Sequence, residues 1–446
     1  MKQIFLLLLI FIAINAFPAE RIVNLDECIN IALQNHPDLF LSIEDNKKSV
    51  ADYKIAKSMK SVIIDGEIKT VEYAKTDTTA NTNFQIPGQD TNIGLFAGLT
   101  VVYNLYDAKK DYIEENAKTG IDISKLKNQK TRNTIVFEVK NAYYSYLLSR
   151  NTLGIKEEMH KKFKKKSDLA KQLFEQGARP ILDVSKAEVD MADSQLQLEK
   201  AKNNERKTKL SLFRSMGLEE VETLSINPGD VEAIPELNCQ LDDLYKMAEV
   251  YSPLIRIVTL EKRAARLKIF EENASHYPRV DMLLGLGYQS EKLYGVGQMS
   301  DNFNFEKWSP AFNGAIRATL PVYSGGRISA RVDSVVSDYN KISYKEKELL
   351  IETKNQIRDS FKSLEEIKKQ MEISNLITKN AQRHLLLAQR SYENGGGTLL
   401  ELQDAELSVI KADIGFLESK YSYLLTLAKL TSIIGIGESS ICKNQE

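Results

Sequence analysis

Two very long helices are predicted by the spacing of apolar residues along the chain. Residues 327–394 contain no glycine or proline, and apolar side chains recur there at alternating steps of four and three positions. This spacing is typical of a coiled-coil seam, and a helix of that length extends roughly 100 Å. A similar seam predicts a second helix over residues 108–176, which Gly120 and Gly154 are expected to interrupt.

Four other stretches alternate apolar residues with small or polar ones, a pattern that predicts β-strands. Each has about the ten residues that a tilted strand needs to cross a bilayer. An apolar face opposite a polar face suits lipid on one side and water on the other. Sheets of water-soluble proteins show the same alternation, so the strands alone leave both environments open. The predicted strands cover approximately residues 63–73, 93–104, 279–289 and 312–322.

The chain is a tandem repeat. Leu25-Asp26 returns as Leu241-Asp242, and the segment LAKQLFEQG at 169–177 matches LAQRSYENG at 387–395. The offset between matching positions drifts only from 216 to 218, and a fixed period of this kind indicates a repeated architecture. The predicted boundaries are residues 20–220 for the first structural repeat, 221–240 for a linker, 241–438 for the second repeat and 439–446 for a C-terminal tail.

Residues 1–19, MKQIFLLLLIFIAINAFPA, are interpreted as a secretory signal peptide. A lysine precedes a short apolar run, and small residues follow at the point of cleavage. No later run reaches the 18 apolar residues of a membrane-spanning helix. The mature protein is therefore expected to be exported and to have no transmembrane helix.

The amino-acid composition argues against nucleic-acid binding, metal binding and catalysis. The chain has 60 Lys+Arg against 61 Asp+Glu, so a nucleic-acid partner is not expected. Its four histidines are scattered and no nucleotide-binding motif is present, so no metal, no cofactor and no catalytic residue is predicted, and an enzyme is the weakest hypothesis. Three cysteines are too few for a disulfide framework, and pairing of Cys28 with Cys239 is left open.

Four strands cannot close a membrane barrel, because the smallest common barrels have about eight and an open edge cannot face lipid. If these strands cross a membrane, at least two copies must share one barrel. The pattern therefore predicts an oligomer.

The sequence resembles the TolC-type outer-membrane efflux proteins over nearly the whole mature chain. The resemblance rests on the tandem repeat, the opening LDECINIALQNHPDL at 25–39, the strand-to-helix corner LPVYSGGR at 320–327, and the turn-and-helix run YENGGGTLLELQDAELSVIKAD at 392–413 with its first-repeat counterpart at 174–194. It implies a mainly α fold with a membrane β-barrel portion. A homotrimer would close four strands per chain into one outer-membrane barrel and would form a long coiled-coil α-helical barrel in the periplasm.

The resemblance also implies a function and partners. The trimer would be a channel-tunnel in outer-membrane lipid, the exit duct of a tripartite efflux or type I secretion system. A periplasmic adaptor (membrane fusion) protein and an inner-membrane pump would dock at its periplasmic end and open it. The alternative is a soluble periplasmic coiled-coil structural or adaptor protein, although such a scaffold has no reason to include paired ten-residue strands twice.

The periplasmic gate implied by the resemblance lies in the turns that follow the two long helices. The ring of acids falls on Glu401 and Asp404, a linking acid on Asp183 and a linking tyrosine on Tyr392. The three-residue step from Glu401 to Asp404 places both carboxylates on one helix face. Acids at a helix start also cap or solvate it, and the family pattern has an arginine where Gly397 stands, so the gate ties cannot be identical.

Overall fold

The computed structural model describes residues 21–74, 91–178, 180–219, 224–226, 235, 237, 239–294, 308–394 and 396–437. The predicted signal peptide and C-terminal tail lie outside these residues, as does most of the predicted linker. None of the helices in the described ranges combines the length and the apolar character needed to cross a membrane.

The same order of elements occurs in both halves of the chain. The first half contains β1 (Arg21–Val23), α1 (Leu25–Asn35), α2 (Pro37–Ser58), β2 (Ile63–Ala74), β3 (Thr91–Tyr106), α3 (Ala108–Glu175) and α4 (Ile181–Ser215). The second half contains β4 (Leu224–Ile226), α5 (Leu241–Tyr251), α6 (Pro253–Asn273), β5 (Arg279–Tyr294), β6 (Trp308–Thr319), α7 (Arg327–Glu393) and α8 (Leu399–Ile434). The short strands β1 and β4 pair in parallel.

The expected interruption of the first long helix is wrong, because α3 continues through Gly120 and Gly154. An interior glycine costs a helix about 1 kcal/mol relative to alanine. The buried side chains of Ile135, Val139 and Leu147 lie on the same helix, and each contributes about 1.5–3 kcal/mol through burial. Packing therefore outweighs the two glycines.

One antiparallel sheet contains the four longer strands in the order β2-β3-β5-β6. Its last strand differs from the predicted range of 312–322, because it begins at Trp308 and ends at Thr319. Pro321 has no backbone N–H with which to continue the ladder, and the chain turns there toward the start of α7.

The described residues form two compact units, and each unit contains segments of both repeats. One unit is drawn from residues 1–45, 125–257 and 346–446, and the other from 46–124 and 258–345. The second unit contains the four-stranded sheet. The two sequence repeats are therefore interwoven rather than separate globular domains.

Within the first unit, each repeat builds the same core. One hydrophobic cluster joins α1, α3 and α4 and also includes Tyr421 and Leu424 of α8, and a second joins α5, α7 and α8. Buried residues of the two clusters occupy equivalent positions, 216 to 218 residues apart. The pairs are Cys28 with Leu244, Ala32 with Ala248, Val139 with Ile357, Tyr146 with Leu364, Leu212 with Leu430, and Met216 with Ile434.

The duplicated core ends at a duplicated glycine. Gly217 and Gly435 follow α4 and α8 with φ values of 71° and 87°, which favour glycine. A Cβ atom on Gly217 would lie 2.8 Å from the Cα of His36, and one on Gly435 would lie 2.7 Å from the Cδ of Pro253. In both repeats the glycine therefore lets the end of the later helix pack closely against the junction between the two opening helices.

Cys28 lies in the first core as a free, buried thiol. The pairing with Cys239 that the sequence left open is therefore not formed. Burial, with a smaller contribution from the charge of Glu27, raises the pKa of the Cys28 thiol to about 12, so this side chain acts as a small apolar core residue.

Candidate functional site

The turn between α7 and α8 folds back on the last turn of α7. The backbone N–H groups of Gly396 and Gly397 donate to the carbonyl oxygen of Ser391 at 2.9 and 3.1 Å. A Cβ atom on Gly397 would lie 3.1 Å from both Ser391 Oγ and the Tyr392 backbone nitrogen. Position 397 therefore leaves little room for a side chain, which agrees with the absence of the arginine of the family pattern.

Glu401 takes part in a capping box at the start of α8. Its carboxylate accepts a hydrogen bond from the Thr398 backbone N–H at 2.9 Å, while the Thr398 hydroxyl oxygen accepts one from the Glu401 N–H at 3.2 Å. This reciprocal pair satisfies two donors at the helix start. In the single chain Glu401 therefore caps α8. This is the alternative that the sequence analysis gave for Glu401 alongside a role in the gate.

The other predicted gate residues lie near the ends of three helices. Asp404 is exposed on the next turn of α8, Asp183 is partly buried in the first turn of α4, and Tyr392 is partly buried in the last turn of α7. Asp183 and Glu401 occupy equivalent positions of the two repeats, 218 residues apart. The structure thus places Glu401 and Asp404 together on one helix, and Asp183 and Tyr392 on two others.

Three polar contacts beyond these turns were missed by the sequence analysis. Lys166 of α3 forms an ion pair with Glu406 of α8. Lys171 of α3 forms an ion pair with Glu188 of α4, with 2.9 Å between Nζ and Oε1. The third is a hydrogen bond of 3.1 Å from the buried Gln403 amide to Asp190 Oδ2, which joins α8 to α4.

The two ion pairs have the same arrangement in both repeats. Glu188 and Glu406 are equivalent positions of the two repeats, and each binds a lysine of the same helix, α3. The difference is in burial, because the side chains of Lys166 and Glu406 are only 21% and 17% exposed. The offset between the repeats shows that Glu188 and Glu406 are equivalent positions, but it does not predict which lysines they contact.

The four-stranded sheet has one apolar face that is widely exposed in the single chain. Residues in register across the ladders share this face, as do Ile68 with Ala97 and Leu286 with Phe312. Such a continuous exposed apolar surface marks contact with a membrane or another protein. Its exposed members include Ile64, Ile68, Leu99, Leu286, Tyr288, Phe312 and Ile316.

The opposite face of the sheet is polar. Glu67 accepts hydrogen bonds from Lys69 Nζ at 2.9 Å and from the Thr100 hydroxyl at 2.7 Å. At the other end of the strands, Asp281 accepts a hydrogen bond from Asn104 at 2.7 Å and forms an ion pair with Arg279, also at 2.7 Å. The carboxylates of Glu67 and Asp281 are thus paired within the sheet, whereas Arg317 on the same face has no ion pair among the described residues.

Two facing glycines bring the central strands close together. Gly98 of β3 pairs with Gly287 of β5. A Cβ atom on Gly98 would lie 2.3 Å from the Leu286 carbonyl oxygen, and one on Gly287 would lie 2.5 Å from the Ala97 carbonyl oxygen. The buried ring of Phe96 covers this point on the polar face.

Within the described ranges, no group of three or more His, Cys, Asp or Glu side chains is placed to hold a metal ion. The candidate functional features are thus helix-end acids and ion pairs between helices in the first unit and, separately, a two-faced sheet in the second.

Comparisons with known proteins agree with this architecture. TolC of Escherichia coli is 20% identical over 350 residues, covering 76% of this chain and 69% of TolC. The probable efflux pump outer membrane protein TtgC of Pseudomonas putida is 22% identical over 355 residues, covering 75% of this chain and 67% of TtgC. The solved CmeC outer membrane channel of Campylobacter jejuni has a TM-score of 0.77 at 19% identity, covering 92% of this chain and 85% of CmeC. Residues 77–218 and 244–436 match the model of the outer membrane efflux proteins, and the chain therefore belongs to that family.

Proposed function

We propose that three copies of this chain form one channel through the outer membrane, the exit duct of a tripartite efflux or type I secretion system. The observation that carries the proposal is the sheet of four strands, with an exposed apolar face on one side and charged, hydrogen-bonded side chains on the other. In a membrane barrel the apolar face of such a sheet contacts lipid on the outside, and the polar face contacts water on the inside.

The edges of the sheet support closure by several copies. Among the described strands, β2 and β6 each pair with one neighbour only. An unpaired edge is not tolerated in lipid. Because β2 and β6 run in opposite directions, β6 of one copy can pair with β2 of the next in the antiparallel sense. Three copies then supply twelve strands, the number that the family resemblance implies.

The helical part supports a periplasmic tunnel with a gate at the turns after α3 and α7. The acids Glu401 and Asp404 of three copies would form a ring of six carboxylates, which favours cations. A pump and an adaptor are the proposed partners, since the similar TtgC is named as part of an efflux pump. We assign the chain no enzymatic activity.

Membrane fractionation tests the proposal as a whole. The full-length protein is expected in the outer-membrane fraction, to require detergent for extraction, and to migrate as a heat-dissociable trimer. Recovery as a soluble periplasmic monomer would refute it.

Single-channel recording tests the gate. The Glu401→Ala, Asp404→Ala variant is expected to conduct more and to lose part of its cation preference, because six carboxylates leave the proposed ring. Glu365→Ala, Glu372→Ala removes the same charge from exposed positions of α7 and serves as the matched control. A cation preference unchanged from the wild type would show that Glu401 and Asp404 are not gate residues.

A further inference from the structure

A basic cavity lies where the sheet meets the long helices. Its volume is about 440 Å³, and all of its lining residues belong to the unit that contains the sheet. The elements that form it are the starts of α3, β5 and α7, the end of β6 and the segment after α6. Five basic residues line it, namely Lys109, Arg279, Arg317, Arg327 and Arg331, against two acids, Asp107 and Asp281.

Both acids of the cavity are already engaged. Asp281 binds Arg279 and Asn104, each at 2.7 Å. Asp107 accepts a hydrogen bond of 3.0 Å from the Lys109 backbone N–H. With five basic side chains against two carboxylates, the cavity keeps an excess of positive charge.

The other basic side chains have no such partner. Within the described part of the chain, no ion pair is found for Arg317, Arg327 or Arg331, and all three side chains are exposed. Guanidinium groups present planar sets of donors that match the oxygen atoms of phosphate. Three of them around one cavity are a recognition surface for a multiply charged oxyanion.

Two further features favour an anion at this place. The N-terminus of α7 lies at the cavity, and the positive end of a helix dipole attracts anions; at the start of α3 this place is already taken by the Asp107 carboxylate. Ser275 also lines the cavity, and its hydroxyl oxygen is buried without a hydrogen-bond partner among the described residues. Rotation of the Ser275 side chain about χ1 would turn this hydroxyl group toward an acceptor oxygen of a bound ligand.

The position of the cavity favours a dissolved ligand over a lipid headgroup. Arg317 pairs in register with Asp281, and both belong to the polar face of the sheet, opposite the exposed apolar face. The volume exceeds that of a single ion and falls within the range of small-molecule sites.

We propose that this cavity binds a small, soluble, phosphate-bearing anion. This site is separate from the acidic turn proposed as the gate, and its binding does not depend on trimer formation. In the proposed channel it would give the polar face of the sheet a local preference for anions, opposite in sign to that of the gate.

Titration calorimetry of the full-length protein in detergent, with pyrophosphate as the probe, tests the proposal. The wild type is expected to bind saturably, and Arg317→Gln, Arg331→Gln is expected to weaken binding at least about tenfold, because charge-assisted hydrogen bonds are lost. The control Arg132→Gln, Arg383→Gln removes the same charge from exposed positions outside this unit and should bind as the wild type does. Should the double variant not fold, the single variant Arg331→Gln, at an exposed helix position, is expected to weaken binding by a smaller factor.

Three outcomes would overturn the proposal. They are no saturable binding by the wild type, an equal loss in the control variant, and binding to vesicles containing phosphatidylglycerol without binding to pyrophosphate. The last would assign the arginines to lipid. Because the measurement needs no bilayer and no gate, its result is independent of the channel recordings.

Discussion

Glu406→Gln is expected to destabilise the helical unit, because it leaves the charge of Lys166 in a poorly solvated place. In the folded protein this ammonium group contacts the Glu406 carboxylate and lies 5.7 Å from the centre of the Phe163 ring. The variant keeps the size of the side chain and removes only its charge. The remaining lysine then has no carboxylate to offset its lost hydration.

The burial of the pair sets the magnitude. Exposed ion pairs contribute about 0–1 kcal/mol, whereas removing one partner of a buried pair costs about 3–5 kcal/mol. Side chains that are 21% and 17% exposed lie between these limits. We expect the free energy of unfolding to fall by about 2 kcal/mol.

The repeat supplies the matched control. Glu188 is the equivalent of Glu406, but its pair with Lys171 is 49% and 47% exposed, so Glu188→Gln should change stability little. Denaturant midpoints from circular dichroism, at one protein and detergent concentration, give the comparison. A double-mutant cycle with Lys166→Met isolates the coupling. Equal effects of the two glutamine variants, or no coupling in the cycle, would refute the reasoning from burial.

Two other variants test the sheet and one partly buried acid. Gly98→Val should greatly reduce the amount of trimer recovered from outer membranes, because a Cβ atom there would overlap the facing strand. The control Gly66→Val has open space around its side chain and should assemble normally. Similar yields of trimer from the two variants would contradict the close approach of β3 and β5. Burial raises the pKa of the Asp413 carboxyl group, with Lys162 partly lowering it, so stability is lost as pH rises from the ordinary carboxyl pKa through the folded-state value. Asp413→Asn should therefore be more stable than wild type at neutral pH, with the gain vanishing in acid; a gain of the same size at both pH values would show that titration is not its cause.

Much of the architecture could be predicted because it depends on patterns that occur twice. The absence of glycine and proline over residues 327–394, together with the coiled-coil spacing of apolar residues, predicts α7. A similar spacing in the first repeat predicts α3. The outer-membrane location and the channel class that the resemblance implied are confirmed by family membership, and the alternative of a soluble periplasmic adaptor is wrong. The gate assignment of Glu401, Asp404, Asp183 and Tyr392 stays a prediction.

The sequence does not show which polar residues meet across helices. Lys166 stands in the run KKFKKK at 161–166, where every lysine suits a solvated face, and only helix packing selects the one that contacts Glu406. The basic cavity is hidden for a similar reason. Its arginines come from β5, β6 and α7 and form no local motif.

The pairing of β3 with β5 has a consequence for the order of folding. This central ladder joins the first repeat to the second, for instance through Gly98 and Gly287. Because a chain is synthesised from its N-terminus, β3 has one bare edge until the later repeat exists. Non-local pairing of this kind is slow. Until it forms, the unpaired backbone groups at the edge of β3 can hydrogen-bond to strands of other chains and cause aggregation. The topology therefore requires that the nascent protein be kept from premature pairing until β5, which ends at Tyr294, has been made.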